Sequence, residues 1–121
     1  MARINWSESV LASAAQTTTQ TSPDNTNEIS RGLHLIVDVT SAGTGSITPK
    51  IQGKDANGIY YDILVGAAIT TVSTNVLKVY PGITPVANGA ASDIIPKTFR
   101  FIITANNANT VTYSVSFQLV L

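Results

Sequence analysis

The feature that most constrains the fold is a strict two-residue alternation of apolar and polar side chains at the end of the chain. Between residues 111 and 121 the apolar positions are Val111, Tyr113, Val115, Phe117, Leu119 and Leu121. Thr, Ser and Gln fill the intervening positions up to Gln118. Successive side chains of a β-strand point to opposite faces, so this pattern predicts a strand with one buried face. Residues 97–105 repeat the pattern, with Phe99, Phe101, Ile103 and Ala105 on the apolar face.

The same period recurs through the middle of the chain. Every second residue from Leu33 to Val39 is Leu or Val, which predicts another strand with an apolar face. Further strands are predicted at 47–52, 59–65 and 75–80, and a weaker one at 10–15. In the strand at 59–65 the alternation places four apolar side chains on one face: Ile59, Tyr61, Ile63 and Val65.

Turn signals separate these strands. Asp55-Ala56-Asn57-Gly58 predicts a hairpin, because Asn and Gly tolerate the positive φ of a tight connection. Residues 106–109, which are Asn-Asn-Ala-Asn, are predicted to join the last two strands as a second hairpin. About seven or eight short strands with turns about every 8–12 residues are typical of a sandwich or jelly roll. We therefore predict an all-β fold, an antiparallel β-sandwich that is jelly-roll-like.

The chain length indicates one domain, since 121 residues lie within the usual range for a single hydrophobic core. Residues 1–9 are predicted to form an extended N-terminal arm, and residues 10–121 a single β-sandwich domain. The connection at 81–96 contains the three prolines Pro81, Pro85 and Pro96. A loop of this length is usually a binding segment or a crossover between sheets.

The charge content argues against nucleic-acid and membrane partners. Seven basic and seven acidic residues cancel, so no net field attracts an anionic polymer or lipid surface. Charged residues make up only 12% of the chain, against about 25% in an ordinary soluble domain. Neither a signal peptide nor a membrane-spanning segment is expected. A weakly charged surface favours association with other proteins.

Motifs that carry chemistry are missing from the sequence. His34 has no ligand partner at metal-binding spacing, and the chain has no cysteine. The Asp55–Asn57 pattern begins like a calcium loop but lacks the further carboxylates and the closing Glu. The acidic residues are not clustered in the sequence. A catalytic pair of carboxylates that the fold brings together remains an open alternative. We therefore predict no enzyme, no cofactor and no metal site.

The exposed aromatic and loop residues are the candidates for partner binding. Trp6 stands alone in the polar arm, where it either packs on its own domain or inserts into a neighbour; we favour the neighbour. Tyr60 and Tyr61 are adjacent, so one of them must point away from the core. Such a tyrosine, or Tyr80, suits either a protein interface or a sugar-stacking site. The predicted interaction residues are Arg3, Ile4, Trp6, Tyr60, Pro81, Ile83 and Pro85.

Several segments together resemble a group of small structural proteins from the virions of tailed phages. The similarity extends over roughly residues 32–121 and is carried by strand and turn signatures at 45–55, 58–64, 79–83, 95–100 and 111–115. Phe99 stands where the relatives are expected to have tryptophan.

The resemblance implies a head decoration or cement protein, located in the virion on the outer capsid surface. Its implied partners are the major capsid protein and further copies of itself, in a dimer or a trimer. Two alternatives remain. One is a structural component of the tail, the neck or a fibre adaptor, and the other is a carbohydrate-binding β-sandwich module.

Overall fold

The computed structural model describes residues 6–121, and these form ten β-strands and no helix. The strands are β1 Trp6–Gln16, β2 Gln20–Thr21, β3 Asn25–Thr26, β4 Gly32–Ser41, β5 Ile47–Lys54, β6 Tyr60–Val65, β7 Ser73–Val79, β8 Ala90–Ala91, β9 Thr98–Ala105 and β10 Val111–Val120. Three of them, β2, β3 and β8, are two residues long. They are too short to produce an alternation in the sequence, which is why the prediction of seven or eight strands omitted them.

The strands form two sheets packed as a sandwich, which confirms the predicted fold. Sheet I has the order β1-β10-β4-β7-β8, and sheet II has the order β2-β9-β5-β6, with β3 also paired to β9. All pairs are antiparallel except β7 and β8. Each sheet directs its apolar face toward the other, as the alternating sequence requires.

A cluster of three phenylalanines joins the two sheets at the core. The ring centroids of Phe99 and Phe101 on β9 lie 5.9 and 5.3 Å from that of Phe117 on β10. All three side chains are at most 1% exposed. The perpendicular arrangement of Phe99 and Phe117 is favourable for aromatic rings, at roughly 0.5–1.5 kcal/mol beyond the burial itself.

The connection at 106–109 is not a hairpin, and that prediction was wrong. It links β9 in sheet II to β10 in sheet I, so it crosses from one sheet to the other. The asparagines secure this corner, because the Asn106 amide donates hydrogen bonds to Ser46 Oγ (2.9 Å) and Thr48 Oγ1 (2.8 Å). Alternation predicts which side chains of a strand share a face but does not identify the strand beside it.

Strand β6 also departs from its prediction, because a β-bulge interrupts its alternation. Tyr61 lies opposite Gly53, but the pairing with β5 shifts before Leu64 lies opposite Ile51. One extra residue in a strand moves the following side chains to the other face. Consequently Leu64, and not Val65, is buried.

Strand β1 begins at Trp6, earlier than the predicted strand at 10–15. Residues 6–9 of the expected arm therefore belong to sheet I, where Trp6 lies opposite Leu119 and Glu8 opposite Phe117. Backbone pairing with β10 extends the strand where the alternation of the sequence is weak. Arg3 and Ile4 lie outside the described residues.

Candidate interaction surfaces

An open groove lies at one end of the sandwich, and we call it the Trp6 groove. It has a volume of about 410 Å³ and is lined by Trp6, Glu8, Asn25, Thr26, Glu28, Ile29, Ser30, Phe117 and Leu119. These residues come from β1, β3, the segment after β3, and β10. The groove is thus built from both ends of the described chain.

The Trp6 groove exists because β1 is poorly covered by sheet II. Trp6 and Glu8 lie opposite the buried residues Leu119 and Phe117, so they are on the core-facing side of sheet I. The strand of sheet II that lines this groove, β3, is only two residues long. Trp6 therefore remains 56% exposed although it faces inward, and Ile29 is 69% exposed.

Among the described residues, the two charged side chains that line the Trp6 groove are both acidic. Glu8 accepts a hydrogen bond from Trp6 Nε1 at 3.2 Å, and Glu28 is exposed. No Lys or Arg is among the lining residues in the described part of the chain. An apolar floor with acidic edges suits a segment that carries an apolar side chain next to a cationic one.

A second candidate surface is a charged network around Tyr60 on the outward side of sheet II. Tyr60 Oη donates a hydrogen bond to the Asp24 carboxylate at 2.7 Å, and Lys54 Nζ forms a 3.0 Å ion pair with it. The hydrogen bond from Tyr60, followed by that from Lys54, holds the pKa of Asp24 below its ordinary value. The same contacts raise the pKa of Lys54, chiefly through its hydrogen bond to Asp24.

The network continues across three strands. Gln52 on β5 accepts a hydrogen bond from Arg100 Nε at 2.9 Å and donates one to Asp62 at 2.7 Å. Lys50 lies 3.4 Å from the same Asp62 carboxylate. Gln52 is only 8% exposed. Its side-chain oxygen and its side-chain nitrogen each have a hydrogen-bond partner, as a buried polar group requires.

The predicted interaction residue Tyr60 is therefore embedded in a structural network. The Arg100 guanidinium lies 3.3 Å from its ring centroid and covers one face of the ring. A sugar that stacks on tyrosine needs a free ring face, and Arg100 leaves Tyr60 at most one. Tyr61, which is 43% exposed, is the more accessible of the two tyrosines.

The predicted binding loop at 81–96 is a crossover between the sheets. It runs from β7 through β8 in sheet I to β9 in sheet II. Of its predicted interaction residues, Pro81 and Pro85 are exposed and Ile83 is half-buried. Val86 beside Pro85 is 58% exposed, so the loop presents a small apolar tip.

Only Trp6, among the predicted interaction residues that the structure describes, lines the Trp6 groove. Sequence reasoning missed Ile29, Phe117 and Leu119 as groove residues. Ile29 left a signal, because it is a single apolar residue in a polar segment. Phe117 and Leu119 left none, since they share the alternation of every other core residue on β10.

The described residues contain no group of three or more His, Cys, Asp or Glu side chains that could hold a metal ion. Asp55 Oδ1 instead accepts hydrogen bonds from the backbone N–H groups of Asn57 and Ile59, each at 2.8 Å, and so stabilises the turn. A helix of the length and hydropathy that a bilayer crossing requires is likewise not found within residues 6–121.

No protein-family profile matches this sequence, and no curated protein sequence does. Among solved structures, the fold is similar to that of a chain in the structure of infectious bursal disease virus, Gx strain. The superposition has a TM-score of 0.52 at 12% sequence identity and covers 98% of this chain. It covers 32% of the viral chain, so this protein spans about a third of its neighbour's length. The similarity concerns the fold, a β-sandwich that also occurs in a virus.

Proposed function

We propose that this protein is a structural component of a virion and acts as a capsid decoration protein. It binds the outside of the major capsid lattice and stabilises it. The observation that carries the proposal is the exposure of Trp6, an inward-facing side chain that is 56% exposed in an open apolar groove. The viral β-sandwich neighbour and the resemblance to phage virion proteins support the same assignment.

The energetics of the Trp6 groove suit a repeated, individually modest contact. Burying the exposed half of a large apolar side chain contributes roughly 1–2 kcal/mol. Ile29, which is 69% exposed, adds a similar amount when it is covered. Such a contact is weak alone because association also removes translational freedom. A capsid lattice presents many equivalent sites, so small gains accumulate over the particle.

The chemistry of the groove indicates which kind of segment the partner protein contributes. Glu8 and Glu28 favour a loop of the major capsid protein with Lys or Arg beside an apolar residue. The exposed tip of the 81–96 loop at Pro85 and Val86 supplies a second contact.

The test is cosedimentation of the purified protein with capsids that lack it, with bound copies counted per particle. Decoration predicts saturation at hundreds of copies. Trp6 is the only tryptophan of this chain, so its emission should shift to shorter wavelength on binding once the spectrum of capsids alone is subtracted. A copy number of a dozen or fewer would instead assign the protein to the tail, the neck or a fibre adaptor.

A matched pair of variants identifies the surface. Trp6→Ala should weaken capsid binding about tenfold, which corresponds to about 1.4 kcal/mol. Val72 is similarly exposed, at 66%, and does not line the groove, so Val72→Ala should bind like the wild type. Equal binding by both variants would show that the Trp6 groove is not the contact.

A further inference from the structure

Strand β1 is a long edge strand whose outer edge has no partner among the described residues. It spans 11 residues, ends the order of sheet I, and pairs among the described residues only with β10. None of its residues is buried. Native edge strands are usually protected by proline or lysine, by a β-bulge or an inward-pointing charge, or by being very short. β1 has no proline and no lysine. Its one charge, Glu8, is core-facing, and its two register shifts against β10 leave the strand 11 residues long and continuous.

The pairing of β1 with β10 determines the side on which each residue lies. Five residues of β1 lie opposite buried residues of β10 and so share the core-facing side: Trp6, Glu8, Leu11, Ala14 and Gln16. Ser7 and Ala15 lie opposite residues outside the core and face away from it. The two register shifts fall between Ser9 and Leu11 and between Leu11 and Ala14, one on each side of the strand midpoint.

This pattern is symmetric about Leu11, the central residue of β1. Residues equally distant from Leu11 share a side: Trp6 with Gln16, and Glu8 with Ala14, on the core-facing side. An antiparallel pair of identical strands brings such residues directly opposite each other. A twofold axis produces this arrangement, because the same surface patch then serves both subunits.

We propose that β1 pairs antiparallel with β1 of a second copy, about a twofold axis at Leu11, and joins the two copies of sheet I into one continuous sheet. In this register Trp6 lies opposite Gln16 of the partner subunit, and Ser7 opposite Ala15 of the partner subunit. Trp6, Ser7, Glu8, Ala14, Ala15 and Gln16 keep the sides that the β1–β10 pairing already gives them.

The charge distribution is compatible with this register. Glu8 lies opposite Ala14 of the partner subunit, so the only charged residue of the strand opposes a small neutral one. The two Glu8 residues are then separated by six positions, or roughly 20 Å along the strands. That distance exceeds the screening length of about 8–10 Å at ordinary ionic strength, so their repulsion is weak.

The test measures the molar mass of the full chain by analytical ultracentrifugation over a concentration series. The wild type should be a dimer that dissociates on dilution. Ser7 and Ala15 are both exposed and lie eight positions apart, roughly 26 Å, so they do not interact within one chain. Ser7→Lys with Ala15→Lys places like charges opposite each other twice in the dimer and should raise its dissociation constant at least about tenfold.

A charge-swapped variant tests the register itself. Ser7→Lys with Ala15→Glu places opposite charges together in the same dimer and should dimerise as tightly as the wild type or more tightly. Circular dichroism confirms that both variants fold. A wild type that is monomeric at every concentration, a trimer, or equal effects of the two variants would each overturn the proposal. The assay needs no capsid, so its result is separate from that of the decoration assay.

Discussion

The guanidinium of Arg100 lies 3.3 Å from the centroid of the Tyr60 ring, and its Nε donates a 2.9 Å hydrogen bond to Gln52. This contact joins β9, β5 and β6 on the outward side of sheet II. The same tyrosine binds Asp24, so the segment between β2 and β3 is tied to the sheet as well. The network therefore supports the side of the sandwich at which the short strands β2 and β3 provide little pairing.

The first prediction follows from this contact. Arg100→Ala removes a partly buried cation–π interaction and one hydrogen bond to Gln52, and should lower the free energy of unfolding by about 1–2 kcal/mol. The control is Arg31→Ala, because the Arg31 side chain is exposed; its effect should be within about 0.5 kcal/mol. Urea denaturation measures both variants, and equal losses would show that the Arg100 stack contributes nothing specific.

His34 predicts a dependence of stability on pH. Partial burial, and then the nearby Lys78 charge, lower its pKa below the ordinary value of 6.5. A histidine with a depressed pKa in the folded state favours folding while it is neutral. This contribution to the free energy of unfolding is therefore present above pH 6.5 and is lost as the pH falls through the folded-state pKa.

The measurement compares wild type and His34→Gln by urea denaturation above and below that range. The wild type should lose more stability on acidification than the variant, since glutamine does not titrate. Lys78 and Gln118 flank His34 on the neighbouring strands, and both are unchanged in the variant. Parallel pH profiles for the two proteins would contradict the assigned role of His34.

The hydroxyl group of Tyr113 is buried in the core. Its side chain is 1% exposed, and the hydroxyl has no hydrogen-bond partner within residues 6–121. Burial raises its pKa to about 12. Tyr113→Phe removes the unpaired group and keeps the ring, so the free energy of unfolding should stay level or rise by up to about 1–2 kcal/mol.

Tyr113→Ala is the matched comparison for the ring itself. This substitution should lower the free energy of unfolding by roughly 3–5 kcal/mol through the cavity that it creates. Thermal and urea denaturation give both values. A loss of more than about 1 kcal/mol in Tyr113→Phe would mean that the hydroxyl is satisfied in solution.

Gly45 lies where the chain crosses from sheet I to sheet II, and there is no room for a side chain at this position. A Cβ atom there would lie 2.4 Å from Val111 Cγ2 and 3.0 Å from the carbonyl oxygens of Ala42 and Thr110. Backbone atoms cannot move aside as a flexible side chain can. Gly45→Ala should therefore lower the free energy of unfolding by about 1–3 kcal/mol.

Gly89 provides the control for that substitution, because the nearest atom to its Cβ position lies at an ordinary contact distance of 3.6 Å. Gly89→Ala should change stability by less than about 0.5 kcal/mol. If both alanine variants are equally stable, the corner at Gly45 is looser than the structure indicates.

The sequence alone determined the strands with strong alternation and the faces that they bury. In β4, β9 and β10 the predicted apolar residues are the buried ones, from Leu33 to Val39, from Phe99 to Ile103 and from Val111 to Leu119. The reason is local: a side-chain period of two is a property of one strand and needs no partner to be visible. The low charge and the lone Trp6 also directed attention to association from the sequence alone.

Only the tertiary structure decided which strands are neighbours and where the Trp6 groove lies. β9 and β10 look like a hairpin in sequence, yet they belong to different sheets. The groove combines Trp6 near one end of the chain with Phe117 and Leu119 near the other, and the bulge in β6 depends on its pairing with β5. Each of these features arises from contacts between residues distant in sequence, which a local periodicity does not encode.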